Sequence, residues 1–281
     1  MMQLLVARDG VPVHHLNLGT MGEGREALRE DALFRIASMT KPVTSIAFMQ
    51  LVEQCKVALE ESVTKVFPEF ADLKIFAGGG GQAPWAPGKP AGPMRFVDLL
   101  THMSGFTYGL QNRTNVDAAY RDNHFDFARA HLDSDEFVSR LSKLPLEFSP
   151  GERWNYSVST DVLGIAVERL SGLRLGDYFE KHIFQPLGMT DTRFGAEGQL
   201  ERLVDAYQYV PGQPAKLIDA GRTSAKSAFT WSRRTLAVRV RRLPDQSTVV
   251  SLDDTSRLKK LRGHALVQLV VVHHQQRAAH Q

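Results

Sequence analysis

The chain opens with two short runs rich in apolar residues, "QLLVAR" and "VPVHHLNLG", separated by Asp9-Gly10. Both central positions of a tight hairpin turn take positive φ, which Asp-Gly supplies, so the pattern predicts a strand pair at the start. From Pro42 to Leu59 the pattern changes. Val43, Ile46, Phe48, Met49, Leu51, Val52, Val57 and Leu59 occupy the whole circumference of a helix, as expected of one covered on most sides. Pro42 suits a first helical turn, where its missing N–H costs nothing, so this helix starts at or just before Ser38. Cys55 falls on the same helix and reads as a small core residue. The stretch "AGGGGQAPWAPGKPAGP" is too rich in Gly and Pro for regular structure. Beyond it, "RFVDLLTHMSGF" predicts a short helix ending in a turn at Ser104-Gly105. A mostly helical region follows, punctuated at Pro150-Gly151. "STDVLGIAVERLSG" and "RLGDYFEKHIFQPLGM" are two amphipathic helices, the first closed by Ser171-Gly172 as a C-cap.

With 281 residues, 43% hydrophobic and 23% charged, the chain can bury one large core or two sub-domains around a cleft. No apolar run approaches the roughly 20 residues of a membrane helix. The first residues carry no basic leader, long apolar stretch or cleavage site, so the reading is a soluble, cytoplasmic protein. A single cysteine excludes an internal disulfide. The net charge of +3 hides an asymmetry: residues 221–281 hold 12 Lys/Arg against 3 Asp/Glu, which leaves the first 220 residues at −6. This basic tail comes without a helix-turn-helix, finger or aromatic-basic surface pattern, so no nucleic-acid partner is expected. Gly88-Lys89 does not make a phosphate loop, because Pro90 replaces the Ser/Thr and Ala83 stands in place of the first glycine. His14 and His15 are adjacent on a strand and point to opposite faces, which argues against a shared metal.

The candidate chemistry lies at the start of the long helix. Ser38 and Lys41 are spaced i, i+3 and so share a helix face. Free backbone N–H groups at a helix start favour developing negative charge, and an amine withdrawn from water favours its neutral, basic form. The pair makes a plausible activated nucleophile. Ser-x-x-Lys also arises by chance, with the serine as a cap and the lysine as a surface charge. The context favours chemistry: apolar flanks at Phe34, Ile36, Met39, Pro42 and Val43, and a later "WNYSVST" in which Tyr156, just ahead of a helix, can present a phenol to a cleft and pass protons.

Four segments together resemble the serine β-lactamase and penicillin-binding-protein superfamily, in particular the class C-like group that includes the family VIII carboxylesterases. They are "SMTK" (Ser38 to Lys41), "DLLTHMSGF" (Asp98 to Phe106), "FSPGERWNYSVSTDVLG" (Phe148 to Gly164) and "IFQPLGMTDTRF" (Ile183 to Phe194). The resemblance covers about residues 3 to 220. It implies an acyl-enzyme mechanism with Ser38 attacking a carbonyl, Lys41 and Tyr156 moving its proton, and water releasing the acid, with no metal or organic cofactor. It also implies a small-molecule ester or lactam substrate and an α/β fold: an antiparallel sheet flanked by helices, with a mainly helical region at about 72–192 inserted beside it.

Two departures qualify this. Val158 stands where lactamases carry Asn, removing an amide that would contact a lactam side chain and tilting the expectation towards esters. The third motif, Lys/His-Ser/Thr-Gly on a strand beside the nucleophile, is absent: no such triplet occurs in the chain. The expected organisation is a β-lactamase-related domain at 1–220 and an atypical basic tail at 221–281, read as a replaced or frameshifted terminus that leaves the sheet incomplete. The alternative is a catalytically inactive relative, or β-lactamase or D-amino-acid peptidase activity. Oligomeric state is not encoded in any pattern seen here.

Overall fold

The computed structural model describes residues 1–8, 11–78, 88–125, 132–196, 198–222, 236–238, 267–273 and 276–277. Two units divide the chain: 1–40 with 184–229 and 235–278, and 41–183 with 230–234 and 279–281.

The first unit carries the strands. β1 (Met2–Arg8) pairs antiparallel with β2 (Val11–Leu18), Leu5 opposite His15, with a bulge between Val6 and Ala7. Asp9-Gly10, the predicted turn, lies outside the described residues. Gln3, Leu5 and Ala7 are buried on one face of β1, the period-2 signature of a half-buried strand. Gln3 survives burial because its amide donates to Asn17 Oδ1 at 2.9 Å and to the Glu30 carbonyl at 3.2 Å. His14 is exposed and His15 half-buried, so they face opposite sides. β3 (Phe34–Arg35), β4 (Arg193–Phe194), β5 (Ala206–Tyr209), β6 (Lys216–Asp219), β7 (Leu236–Val238), β8 (Val267–His273) and β9 (Gln276–Arg277) complete three small sheets, ordered β2-β1-β8, β3-β7-β4 and β6-β5-β9. All pairings are antiparallel except β5 with β9. The tail therefore supplies strands to each sheet.

Leu5, Met21, Leu28, Ala32, Phe34 and Val204 form the apolar core of this unit. Two ion pairs lie within it. Arg35 reaches Asp219 at 2.6 Å while donating to the Val204 carbonyl at 2.7 Å, and Arg25 reaches Asp205 at 2.9 Å. Asp205 also accepts the Gly221 N–H at 2.8 Å, so each buried charge is compensated.

The second unit is helical: α1 (Thr40–Glu53), α2 (Phe96–Leu100), α3 (Asn115–Asp122), α4 (Ser134–Leu141), α5 (Ser159–Ser171) and α6 (Leu175–Phe179), the last continuing as a wider π turn. Together the two units give the expected α/β class. α3 begins at a Thr114 cap and α4 at an Asp133 cap, each side chain accepting an N–H three residues on. α5 ends as predicted, with Gly172 at φ +72 as its left-handed C-cap. Phe48 packs on Phe96 with ring centroids 5.1 Å apart, and Phe70 on Phe106 at 5.5 Å.

Two expectations change. α1 buries Thr40, Val43, Thr44, Ala47, Phe48 and Leu51 on one stripe but leaves Ile46 and Met49 exposed, so it is covered on one face rather than most. It also stops at Glu53. Cys55 consequently lies beyond it, in a left-handed turn at φ +56, exposed rather than in the core.

Candidate active site

Ser38 occupies a single 3₁₀ turn, Ala37–Met39, that runs directly into α1. The turn is capped by Ile36 without a side-chain bond, so Ser38 is not a helix cap. Ahead of it the backbone is strained. Ala37 sits at φ +45, a left-handed conformation that costs a residue with a Cβ about 1–2 kcal/mol. Strain of this kind persists where surrounding structure enforces it, and it clusters at functional positions. Here it delivers Ser38 exposed, with the Thr40 N–H turned back onto the Ala37 and Ser38 carbonyls.

Lys41 is the second residue of α1 and half-buried. Its Nζ lies 4.8 Å from the centroid of the Tyr156 ring and 5.4 Å from that of Tyr108. The rings of Tyr108 and Tyr156 are 5.4 Å apart, and Trp154, exposed to 66%, stacks on Tyr156 at 6.4 Å. An ammonium over two electron-rich rings is a cation–π arrangement, stronger where water is thinned out. The Tyr108 hydroxyl donates to Asp161 Oδ2 at 2.9 Å, placing a carboxylate from the first turn of α5 in the same cluster.

The imidazole of His102 completes the cluster, 4.9 Å from the Tyr156 ring. Burial, and secondarily the Lys41 cation, hold its pKa down to about 4 against the opposing pull of Asp161. It is therefore neutral at physiological pH. Of the three residues singled out in the sequence, Lys41 and Tyr156 are thus brought together, and Ser38 stands one turn before Lys41 along the chain. His102, Tyr108, Trp154 and Asp161 carried no periodic signal of their own. Three of them, His102, Trp154 and Asp161, fall in the quoted segments "DLLTHMSGF" and "FSPGERWNYSVSTDVLG", and only those segments pointed at them; Tyr108 lies outside both.

The Tyr156 segment is fixed by a dense set of bonds. Asn155, buried, donates its side-chain amide to the Phe106 carbonyl at 2.9 Å and accepts from Arg113 at 2.7 Å. Gln111 donates to the Tyr156 carbonyl, and the Val158 N–H to the Thr107 carbonyl at 3.2 Å. Asp117, fully buried, accepts from the Thr107 hydroxyl at 2.6 Å and from the Arg113 N–H at 2.7 Å, anchoring the neighbouring loop. Among the described residues no three His, Cys, Asp or Glu side chains converge as metal ligands, and no helix is long and apolar enough to cross a membrane.

Comparison with known proteins gives a consistent picture. The Beta-lactamase family model matches residues 2–278, running on through the strands of the basic tail. Esterase EstB of Burkholderia gladioli is 35% identical over 213 residues, 75% of this chain and 50% of its own length. Lovastatin esterase of Penicillium rubens is 31% identical over 203 residues, 71% of this chain and 49% of its own. The chain thus spans about half the length of the curated relatives it matches. Among solved structures, EstCE1, a hydrolase with promiscuous acyltransferase activity, superposes with a TM-score of 0.67 at 22% identity, over 84% of this chain and 64% of that one, a likeness of fold. On the family match and the relatives together, the chain belongs to the beta-lactamase family.

Proposed function

We propose that the chain is a serine hydrolase of the β-lactamase-related type that cleaves carboxylic esters through an acyl-enzyme on Ser38. The observation that supports this most directly is Lys41 Nζ lying 4.8 Å from the centroid of the Tyr156 ring, immediately after a strained turn that exposes Ser38. In this reading one member of the Lys41–Tyr156 pair enters the step deprotonated, Lys41 as the amine or Tyr156 as a phenolate beside the Lys41 cation, and takes the Ser38 proton as the hydroxyl oxygen bonds to the substrate carbonyl carbon. The same proton then leaves on the alcohol as the ester C–O bond breaks. Water attacks the acyl-enzyme, and Ser38 regains a proton as the acid departs. The esterase names of the relatives and the valine at position 158 both favour esters over lactams.

One observation favours a second reading. The chain has no Lys/His-Ser/Thr-Gly triplet, whose strand would supply one of two oxyanion N–H donors, and loss of one donor costs about 10²–10³ in rate. The second reading is a relative that acylates but does not turn over. Incubation with a fluorophosphonate probe followed by intact mass tests the first step: an adduct is expected on the native chain and none on Ser38→Ala. An equal adduct on both, or none on the folded native chain, refutes the nucleophile assignment. Turnover of a nitrophenyl acyl ester above the Ser38→Ala background separates active from stalled enzyme.

A further inference from the structure

We propose that His102 is a positioning residue that holds Tyr156 by clamping the residues on either side of it. The proposal rests on the reading of Tyr156 as a proton carrier for Ser38. His102 takes a left-handed backbone conformation, φ +58, which turns its own carbonyl and its imidazole toward the same stretch of chain. The carbonyl accepts the Asn155 N–H at 2.9 Å. The ring Nδ1 accepts the Ser157 N–H at 3.3 Å. Residues 155 and 157 flank Tyr156, so one residue holds both of its neighbours, and the same ring lies 4.9 Å against the phenol ring.

The bond to Ser157 assigns the tautomer. A main-chain N–H only donates, so Nδ1 carries a lone pair and the ring proton sits on Nε2. A protonated Nδ1 would face that N–H with a second N–H, and the ring would add a cation beside Lys41. Burial and Lys41 oppose protonation against the pull of Asp161, and the neutral ring persists down to about pH 4. Beneath the clamp the Ser157 hydroxyl meets Ser159 Oγ at 2.7 Å, which meets Ser104 Oγ at 2.7 Å, and Ser104 Oγ accepts the Phe106 N–H at 3.2 Å. Ser104, Ser157 and Ser159 are all buried. This hydroxyl chain ties the Tyr156 segment back to the loop that carries His102, so the clamp cannot slide without breaking buried hydrogen bonds.

Two substitutions isolate the ring from the backbone. His102→Gly keeps the left-handed conformation and the carbonyl but removes the imidazole, whereas His102→Asn also tolerates that conformation and presents Oδ1 near the position of Nδ1. In native-state hydrogen exchange the Ser157 amide is expected to exchange at least about tenfold faster in His102→Gly, with the Asn155 amide within about threefold of the native chain. The rate constant for fluorophosphonate labelling of Ser38 is expected to fall about 10–100-fold in His102→Gly, the scale for a displaced catalytic group, and to recover to within about threefold in His102→Asn. Unchanged Ser157 exchange in His102→Gly, or equal acceleration of both amides, overturns the clamp. So does a native labelling rate in His102→Gly. If the native chain takes no probe, the nucleophile assignment fails on its own, and the exchange experiment still decides whether His102 holds the segment.

Discussion

Gly105 offers a test of the local geometry that leads from His102 to the core. It sits at φ +85, and its carbonyl accepts the Glu147 N–H at 2.8 Å. A Cβ added there would lie 2.3 Å from the Phe148 carbonyl oxygen and 3.1 Å from Leu146 Cβ. Gly105→Ala therefore carries two penalties. The left-handed conformation costs about 1–2 kcal/mol. The clash is with a main-chain oxygen rather than a flexible tip, so backbone must shift to restore a normal contact, and overpacking of that kind costs about 1–3 kcal/mol. Gly172 provides the matched control: its φ is +72, but no heavy atom lies within 4 Å of an added Cβ. Gly172→Ala meets only the conformational penalty, and the narrowing of the unfolded ensemble offsets both variants equally, by about 0.4–1 kcal/mol. The expected outcome in urea unfolding, at unchanged slope, is a loss for Gly105→Ala that exceeds that of Gly172→Ala by about 1–3 kcal/mol. A difference below about 0.5 kcal/mol would refute the steric argument, because it would mean that the 146–148 segment yields freely.

Two other predictions rest on buried charge. Arg35→Leu leaves the Asp219 carboxylate and the Val204 carbonyl without their guanidinium, and is expected to cost about 3–5 kcal/mol, while Arg35→Leu with Asp219→Leu costs less than the single change; a double-mutant cycle by urea titration reads the coupling. For pH, the His102 pKa is depressed in the fold to about 4, so its contribution is fully present above the ordinary histidine value of 6.5 and is lost as pH falls from there to about 4. The loss is at most about 3 kcal/mol, reduced because part of the ring reaches water. Glu147, whose pKa burial pushes up, acts in the opposite sense, so the measure is the slope of native chain minus His102→Gly in urea midpoints taken from pH 7.5 to 4.

Much of the fold was legible because it is local. The β1–β2 pair, the short α2, and α5 with its glycine cap follow from patterns within a dozen residues, and so does the i, i+3 spacing of Ser38 and Lys41. What escaped is long-range or conformational. Cys55 was placed on a helix whose apolar pattern runs on to Leu59, but the chain leaves that helix at Glu53. The left-handed Ala37 and His102 have no residue signature, since neither is glycine. The bonds that join His102 to Asn155 and Ser157 span more than 50 positions, and no pattern of spacing encodes them. Nor did the pattern of the basic tail announce β8, whose pairing lies with the opposite end of the chain.

That last pairing bears on how the molecule is made. β1 lies between β2 and β8 in its sheet, with Leu5 opposite Val270, a separation of 265 residues. Closing a loop of that length costs roughly 5 kcal/mol of chain entropy before the pairing returns anything. During synthesis at about 5–20 residues per second, β2 reaches β1 almost at once, whereas β8 emerges roughly ten to fifty seconds later. For that interval one side of β1 presents unpaired main-chain groups to whatever strands surround the ribosome, which makes it the segment where a nascent-chain binder would do most good.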